Sequence, residues 1–103
     1  MKRVKRRYLA LQFELEGVPG ERELMDAVWG SVARLYGEVG ASLTSMALIS
    51  FDVSRKVAVV RTSLETLDMV RASLACITSV AGREVAVHVL AVSGTIKALL
   101  EKF

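Results

Sequence analysis

The chain has 103 residues, of which 52% are hydrophobic and 24% charged, with a net charge of +3. That suffices for one domain around one core, and no apolar stretch approaches the roughly 18–20 residues of a membrane helix. A single cysteine, Cys76, excludes an intramolecular disulfide, and with one histidine, His88, a structural zinc site lacks its ligands.

The opening "MKRVKRR" carries Lys2, Arg3, Lys5, Arg6 and Arg7 without an acid, five of the fourteen Lys/Arg in the chain, so the remainder is slightly acidic. Residues 1–7 therefore read as a basic arm and 8–103 as the folded domain. Such an arm neutralises phosphates, and counterion release makes that binding salt-sensitive. The glutamates of "YLALQFELEG" interrupt any secretory core, which together with the lone cysteine fits a cytoplasmic protein. The absence of Asn, with a single Gln, suggests a thermophilic source.

"RYLALQFEL" alternates, with Leu9, Leu11, Phe13 and Leu15 on one face, and predicts a strand. "EGVPG" is a turn, and "ERELMDAVWGSVARLYGEVG" a helix whose stripe is Leu24, Val28, Val32 and Leu35, joined by Met25, Trp29 and Tyr36. Gly37 or Gly40 should end it. "ASLTSMALISFD" and "VAVVRTS" read as strands joined by the hairpin "DVSRK". Thr62 and Glu65 have capping-box spacing ahead of a second helix with Leu67, Val70, Leu74 and Ile77 inward. "REVAVHVLAV" is a fourth strand, and "GTIKALLEKF" a closing helix. The order β-α-β-β-α-β predicts an α+β ferredoxin-like two-layer sandwich with an additional C-terminal helix.

In the third and fourth strands both alternating sets are apolar, whereas a sheet face open to water should be polar on one set. The closing helix can cover part of that face, and a partner the rest. Leu90, Val92, Leu99, Leu100 and Phe103 are the candidate partner contacts.

Catalytic chemistry finds little support. His88 lies mid-strand without a triad pattern and reads as packed or partner-facing, and Cys76 as a small core residue. No phosphate-binding glycine loop of the P-loop or dinucleotide type occurs. Acylphosphatase, an enzyme of this shape, uses a catalytic asparagine, and the chain has none. The third strand lacks the aromatics of an RNA-recognition motif, leaving Tyr8 as the one candidate stacking ring. RNA, if bound, should be held by charge and shape at edges and termini.

"RRYLALQFEL", "VAVVRTSLETLDMVRASLACI" and "VSGTIK" (92–97), in this order, resemble the ribonuclease P protein component 2 family of archaeal and eukaryotic tRNA-processing subunits. Where that family usually has Arg after Ser-Gly-Thr-Ile, Lys97 stands, which keeps the charge but not a bidentate grip. The resemblance implies a non-catalytic subunit of a ribonucleoprotein. Its RNA removes the 5′ leader of precursor tRNA with magnesium held by RNA, so the protein itself carries no cofactor. The implied protein partner is ribonuclease P protein component 3, in a two-plus-two assembly; precursor tRNA is engaged indirectly. The RNA-binding candidates are then Lys2, Arg3, Lys5, Arg6 and Arg7; Arg55, Lys56 and Arg61; and Ser93, Gly94, Thr95 and Lys97. Ser93 or Thr95 can equally be a plain helix cap. A second reading is a ferredoxin-like regulatory module that dimerises through its sheet or binds a small ligand.

Overall fold

A computed structural model describes residues 5–14, 20–52, 54–80 and 82–102. Four strands, β1 (Arg6–Glu14), β2 (Ala47–Asp52), β3 (Val57–Ser63) and β6 (Ala86–Ser93), form an antiparallel sheet in the order β2-β3-β1-β6. β3 lies between β1 and β2, and β1 between β3 and β6. These are the two interleaved split crossovers of the ferredoxin-like fold. Helices α1 (Glu21–Leu43) and α2 (Leu67–Ala75) make the crossovers.

Period-two alternation on β1 directs Leu9, Leu11 and Phe13 into the main core, where they meet Leu24, Val28 and Val32 of α1 and Val70 and Leu74 of α2. Phe13 and Phe51 stack with ring centroids 6.4 Å apart. The α1–α2 contact is close because small residues face each other there. Buried Ser31 donates from Oγ to Ser73 O at 2.6 Å, and Ser73 Oγ donates to Met69 O at 2.8 Å.

α1 departs from its expected end. It continues to Leu43 but is broken at Gly37, whose φ of 78° and ψ of 171° are open essentially to glycine alone. The break shifts the helical phase, so the buried stripe runs through Leu24, Val28, Ser31 and Val32 and resumes at Ala41. Leu35 and Tyr36, expected inside, are 46% and 41% exposed.

Thr62 and Glu65 do not form a capping box. Thr62 is the buried penultimate residue of β3, and a single 3-10 turn at Leu64–Thr66 precedes α2. The Thr62 hydroxyl instead donates to Thr44 O at 2.8 Å and pairs with Thr66 Oγ1 at 3.2 Å, while Thr44 Oγ1 donates to Ala41 O at 2.7 Å. α2 stops at Ala75, leaving Cys76 exposed rather than in the core. The fourth strand of the reading is divided. Around Gly82, at φ +80°, β4 (Ser79–Val80) and β5 (Arg83–Glu84) make a separate two-stranded ribbon before β6 begins.

The last helix, α3 (Ile96–Leu100), lies on the sheet face opposite α1 and α2. Leu99, wholly buried, packs there on Ala10 and Val59, flanked by Tyr8 and Ala91. This second, smaller core accounts for the second apolar set on β3, through Val59, and for Ala91 on β6. Among the described residues no helix is long and apolar enough to cross a membrane.

Candidate nucleic-acid interface

Strand register decides which of the basic residues meet. Arg6 and Arg7 are not a free arm, since they begin β1 and lie opposite Ser63 and Thr62 of β3. Lys5 is tied in as well, its carbonyl accepting from Leu64 N at 2.8 Å. On the neighbouring strands Tyr8 is aligned with Arg61 on one side and Ser93 on the other, and Arg61 with Ala47. Lys5, Arg6, Arg7, Arg61, Ser93, Gly94, Thr95 and Lys97 therefore converge on one end of the sheet. The segments Lys5–Tyr8, Arg61–Ser63 and Ser93–Lys97 contribute Lys5, Arg6, Arg7, Arg61 and Lys97 and contain no acid, the first beyond them being Glu65.

Within this end the side chains are differently held. Arg7 is half-buried and donates from Nη1 to Arg6 O at 2.9 Å. Its guanidinium lies beside Gly94, where an added Cβ would come within 3.5 Å of Nη1. Thr95 is the cap of α3, with Oγ1 accepting from Ala98 N at 3.1 Å. Lys97 is exposed, and Lys102 donates from Nζ to Val92 O at 2.8 Å. Arg61 is half-buried, and its Nε is buried without a hydrogen-bond partner.

Arg55 and Lys56 lie elsewhere. They occupy the β2–β3 hairpin, where Lys56 O accepts from Phe13 N at 3.0 Å, at the opposite end of β1. The group of Arg55, Lys56 and Arg61 expected from sequence is thus divided between the two ends of the sheet. Asp52 shapes that hairpin, its Oδ1 accepting from Ser54 N, Ser54 Oγ and Arg55 N at 3.1, 2.8 and 3.2 Å. These bonds, chiefly from the Ser54 hydroxyl, hold its carboxyl below its ordinary pKa. Lys2, Arg3 and Phe103 lie outside the described residues.

The candidate partner contacts also separate. Leu90 and Leu100 are exposed. Leu99 is a core residue inside the chain, and Val92 packs against the main core beneath the helices, so neither belongs to an open partner face. Leu90 is the additional residue of a β-bulge. Val89 pairs with Leu11 and Ala91 with Ala10, leaving Leu90 unpaired on the edge strand. A matching shift in β2 leaves Ile49 in the same position on the other edge. The sequence reading also missed an apolar surface at the distal part of α1, where Val39 and Leu43 are 76% and 62% exposed beside Leu35 and Tyr36. The available signal was Gly37, which interrupts the helix before Val39 and Leu43. A shallow groove of about 440 Å³, lined by Trp29, Gly30, Ala33, Glu38, Ala41 and Ser42, adjoins it.

His88 is on the open face, half-exposed, with Nε2 3.4 Å from Glu14 Oε1. Among the described residues no cluster of three His, Cys, Asp or Glu could hold a metal ion.

The Rpp14/Pop5 family model matches residues 7–103. Ribonuclease P protein component 2 of Pyrococcus horikoshii is 33% identical over 101 residues, covering 98% of this chain and 84% of that protein. The Methanosarcina mazei protein of the same name is likewise 33% identical, over 98% of this chain and 85% of its own length. In structure, the chain resembles one in the cryo-EM structure of yeast ribonuclease MRP, with a TM-score of 0.74, 15% identity, and coverage of 92% of this chain and 78% of that one.

Proposed function

Because the chain belongs to the Rpp14/Pop5 family, we propose that it is a protein subunit of ribonuclease P that binds and supports the catalytic RNA during 5′-leader removal from precursor tRNA. The near-full-length likeness to ribonuclease P protein component 2 carries this reading. The acid-free cationic sheet end supports it physically, because several fixed cations beside one another suit a polyanion. The RNA holds the catalytic magnesium and does the chemistry; the protein contributes phosphate contacts from Lys5, Arg6, Arg7, Arg61 and Lys97, with Lys2 and Arg3 preceding them. Ser93, Gly94 and Thr95 shape the junction from which Lys97 projects. Arg55 and Lys56 form a second, separate contact region at the hairpin.

Ribonuclease P protein component 3 is the protein partner in this reading, in a two-plus-two assembly. The exposed Leu90, Leu100 and distal α1 residues are the surface offered to proteins. The assembly is cytoplasmic, and the Asn-free composition suits a thermophilic source.

The direct test is a salt series of binding to ribonuclease P RNA. Deleting residues 1–7 would remove part of β1, so the informative variant is Lys5→Gln with Arg6→Gln. Each lost phosphate contact should lower the slope of log affinity against log salt by about 0.7–0.9. Unchanged affinity and slope would remove this sheet end from the interface.

A further inference from the structure

We infer that Arg7 is a pre-positioned phosphate contact of the RNA interface, and that Gly94 is the positioning residue that keeps its guanidinium reachable. This deepens the RNA-binding reading above and rests on it. Its starting point is a glycine that its own backbone does not require. Among the described residues, positive φ occurs in glycine at Gly37 and Gly82, so Gly94 lies outside the left-handed region that favours glycine. Gly94 is exposed, and beyond its chain neighbours an added Cβ would meet Arg7 alone within 4 Å, at 3.5 Å from Nη1 and 3.8 Å from Cζ. A glycine at such a position costs unfolded-state entropy without serving a turn. What it provides is empty space against one arginine.

Strand register puts that arginine there. Tyr8 pairs with Ser93, so Arg7 falls beside Gly94 where β1 and β6 meet. Arg7 is half-buried, and Nη1 donates to Arg6 O at 2.9 Å, which occupies one of the five N–H groups of a guanidinium. Its Nε and Nη2 have no partner among the described residues. The buried side-chain atom without a partner there is Arg61 Nε, not an atom of Arg7, so these two donors of Arg7 reach solvent. Nor does Arg7 make an ion pair among the described residues. A partly desolvated guanidinium, tethered at one corner and without a counterion, suits an external anion. Lys5, Arg6, Arg61 and Lys97 converge on the same sheet end, and the segments that carry them include no acid. One carboxylate of a protein partner would satisfy Arg7 and leave the other cations together. A phosphodiester backbone meets them all, so the geometry favours RNA. At Gly94 the methyl of alanine would just touch the guanidinium, and the two γ-methyls of valine would extend beyond that contact.

The test uses the full chain and ribonuclease P RNA across a salt series, with Arg7→Gln, Gly94→Ala, Gly94→Val, and Arg7→Gln combined with Gly94→Val. Arg7→Gln should weaken binding about tenfold and lower the slope of log affinity against log salt by about 0.7–0.9, as one lost phosphate contact does. Gly94→Val should weaken binding by a similar factor, and Gly94→Ala by less. In the Arg7→Gln background Gly94→Val should cause no further loss, because the glycine acts through the arginine. Both Gly94 variants should melt no lower than the wild-type chain, since the backbone there accepts a side chain. A lower melting temperature would mark a structural glycine and overturn the positioning role. Wild-type affinity in Gly94→Val would overturn it too, as would an undiminished loss from Gly94→Val in the Arg7→Gln background. Wild-type RNA affinity in Arg7→Gln, with affinity for protein component 3 lost, would overturn the phosphate contact and assign the guanidinium to a carboxylate of the partner. If the wild-type chain itself failed to bind this RNA, the proposed function would fall, and this inference with it.

Discussion

Arg61 stands two residues before the end of a strand that is secured by hydroxyl groups. Thr62, Ser63 and Thr66 contact one another, and Thr62 Oγ1 and Ser63 N both donate to Thr44 O, joining the end of α1 to β3. These groups lie in the interior, where an unmade hydrogen bond is costly. Thr62→Val, which keeps the shape and removes the donor, should cost about 1 kcal/mol in chemical denaturation. Sequence spacing suggested a different role for Thr62, because Thr-x-x-Glu has the pattern of a cap. The strand read from "VAVVRTS" already included Thr62, and the residue lies within β3 with its hydroxyl used across the fold rather than as a cap. At the far hairpin Asp52 is the residue to watch. Its folded pKa is depressed, so its contribution to stability is present above the unfolded value and fades as pH falls through the folded one. Asp52→Asn should therefore melt below wild type at neutral pH. The gap should narrow in acid, below the usual aspartate value near 3.8.

Among the elements, α1 and α3 separate what was legible in the chain from what was not. Period-two alternation located β1, and 3.6-residue periodicity located the first half of α1, because each has one well-defined buried face. The kink at Gly37 was not legible as a kink. A glycine signals a helix end as readily as a break, and only the packing of Ala41 shows that the helix resumes. Gly37→Ala should cost about 1–3 kcal/mol, since the backbone angles there exclude a Cβ without strain. α3 posed a different difficulty. Leu99 and Leu100 are adjacent and equally apolar, so composition could not tell the core residue from the surface one. A five-residue helix completes little more than one turn, too few positions to define a face. The structure buries Leu99 on Ala10 and Val59 and exposes Leu100. Leu99→Ala should accordingly destabilise by about 2–5 kcal/mol, and Leu100→Ala by well under 1 kcal/mol.

At the scale of the molecule, the sheet separates two basic surfaces by the length of β1, a distinction no linear reading of charge could make. Arg55 and Lys56 are only a few residues from Arg61 in sequence, yet a strand of about 3.3 Å per residue carries them to the other end. Conversely Arg7 and Gly94 are far apart in sequence and in contact in space, because β1 and β6 are neighbours. The likeness to ribonuclease P subunits, together with a cationic sheet end and apolar surface at both the bulged edges and distal α1, describes a protein built to bridge RNA and protein. The measurement that bears most directly on this account is precursor-tRNA cleavage by ribonuclease P RNA at limiting magnesium, with and without this chain and protein component 3. The account predicts that the pair lowers the magnesium requirement and that neither protein does so alone. Cleavage with the same magnesium dependence in the presence and absence of the pair would contradict it.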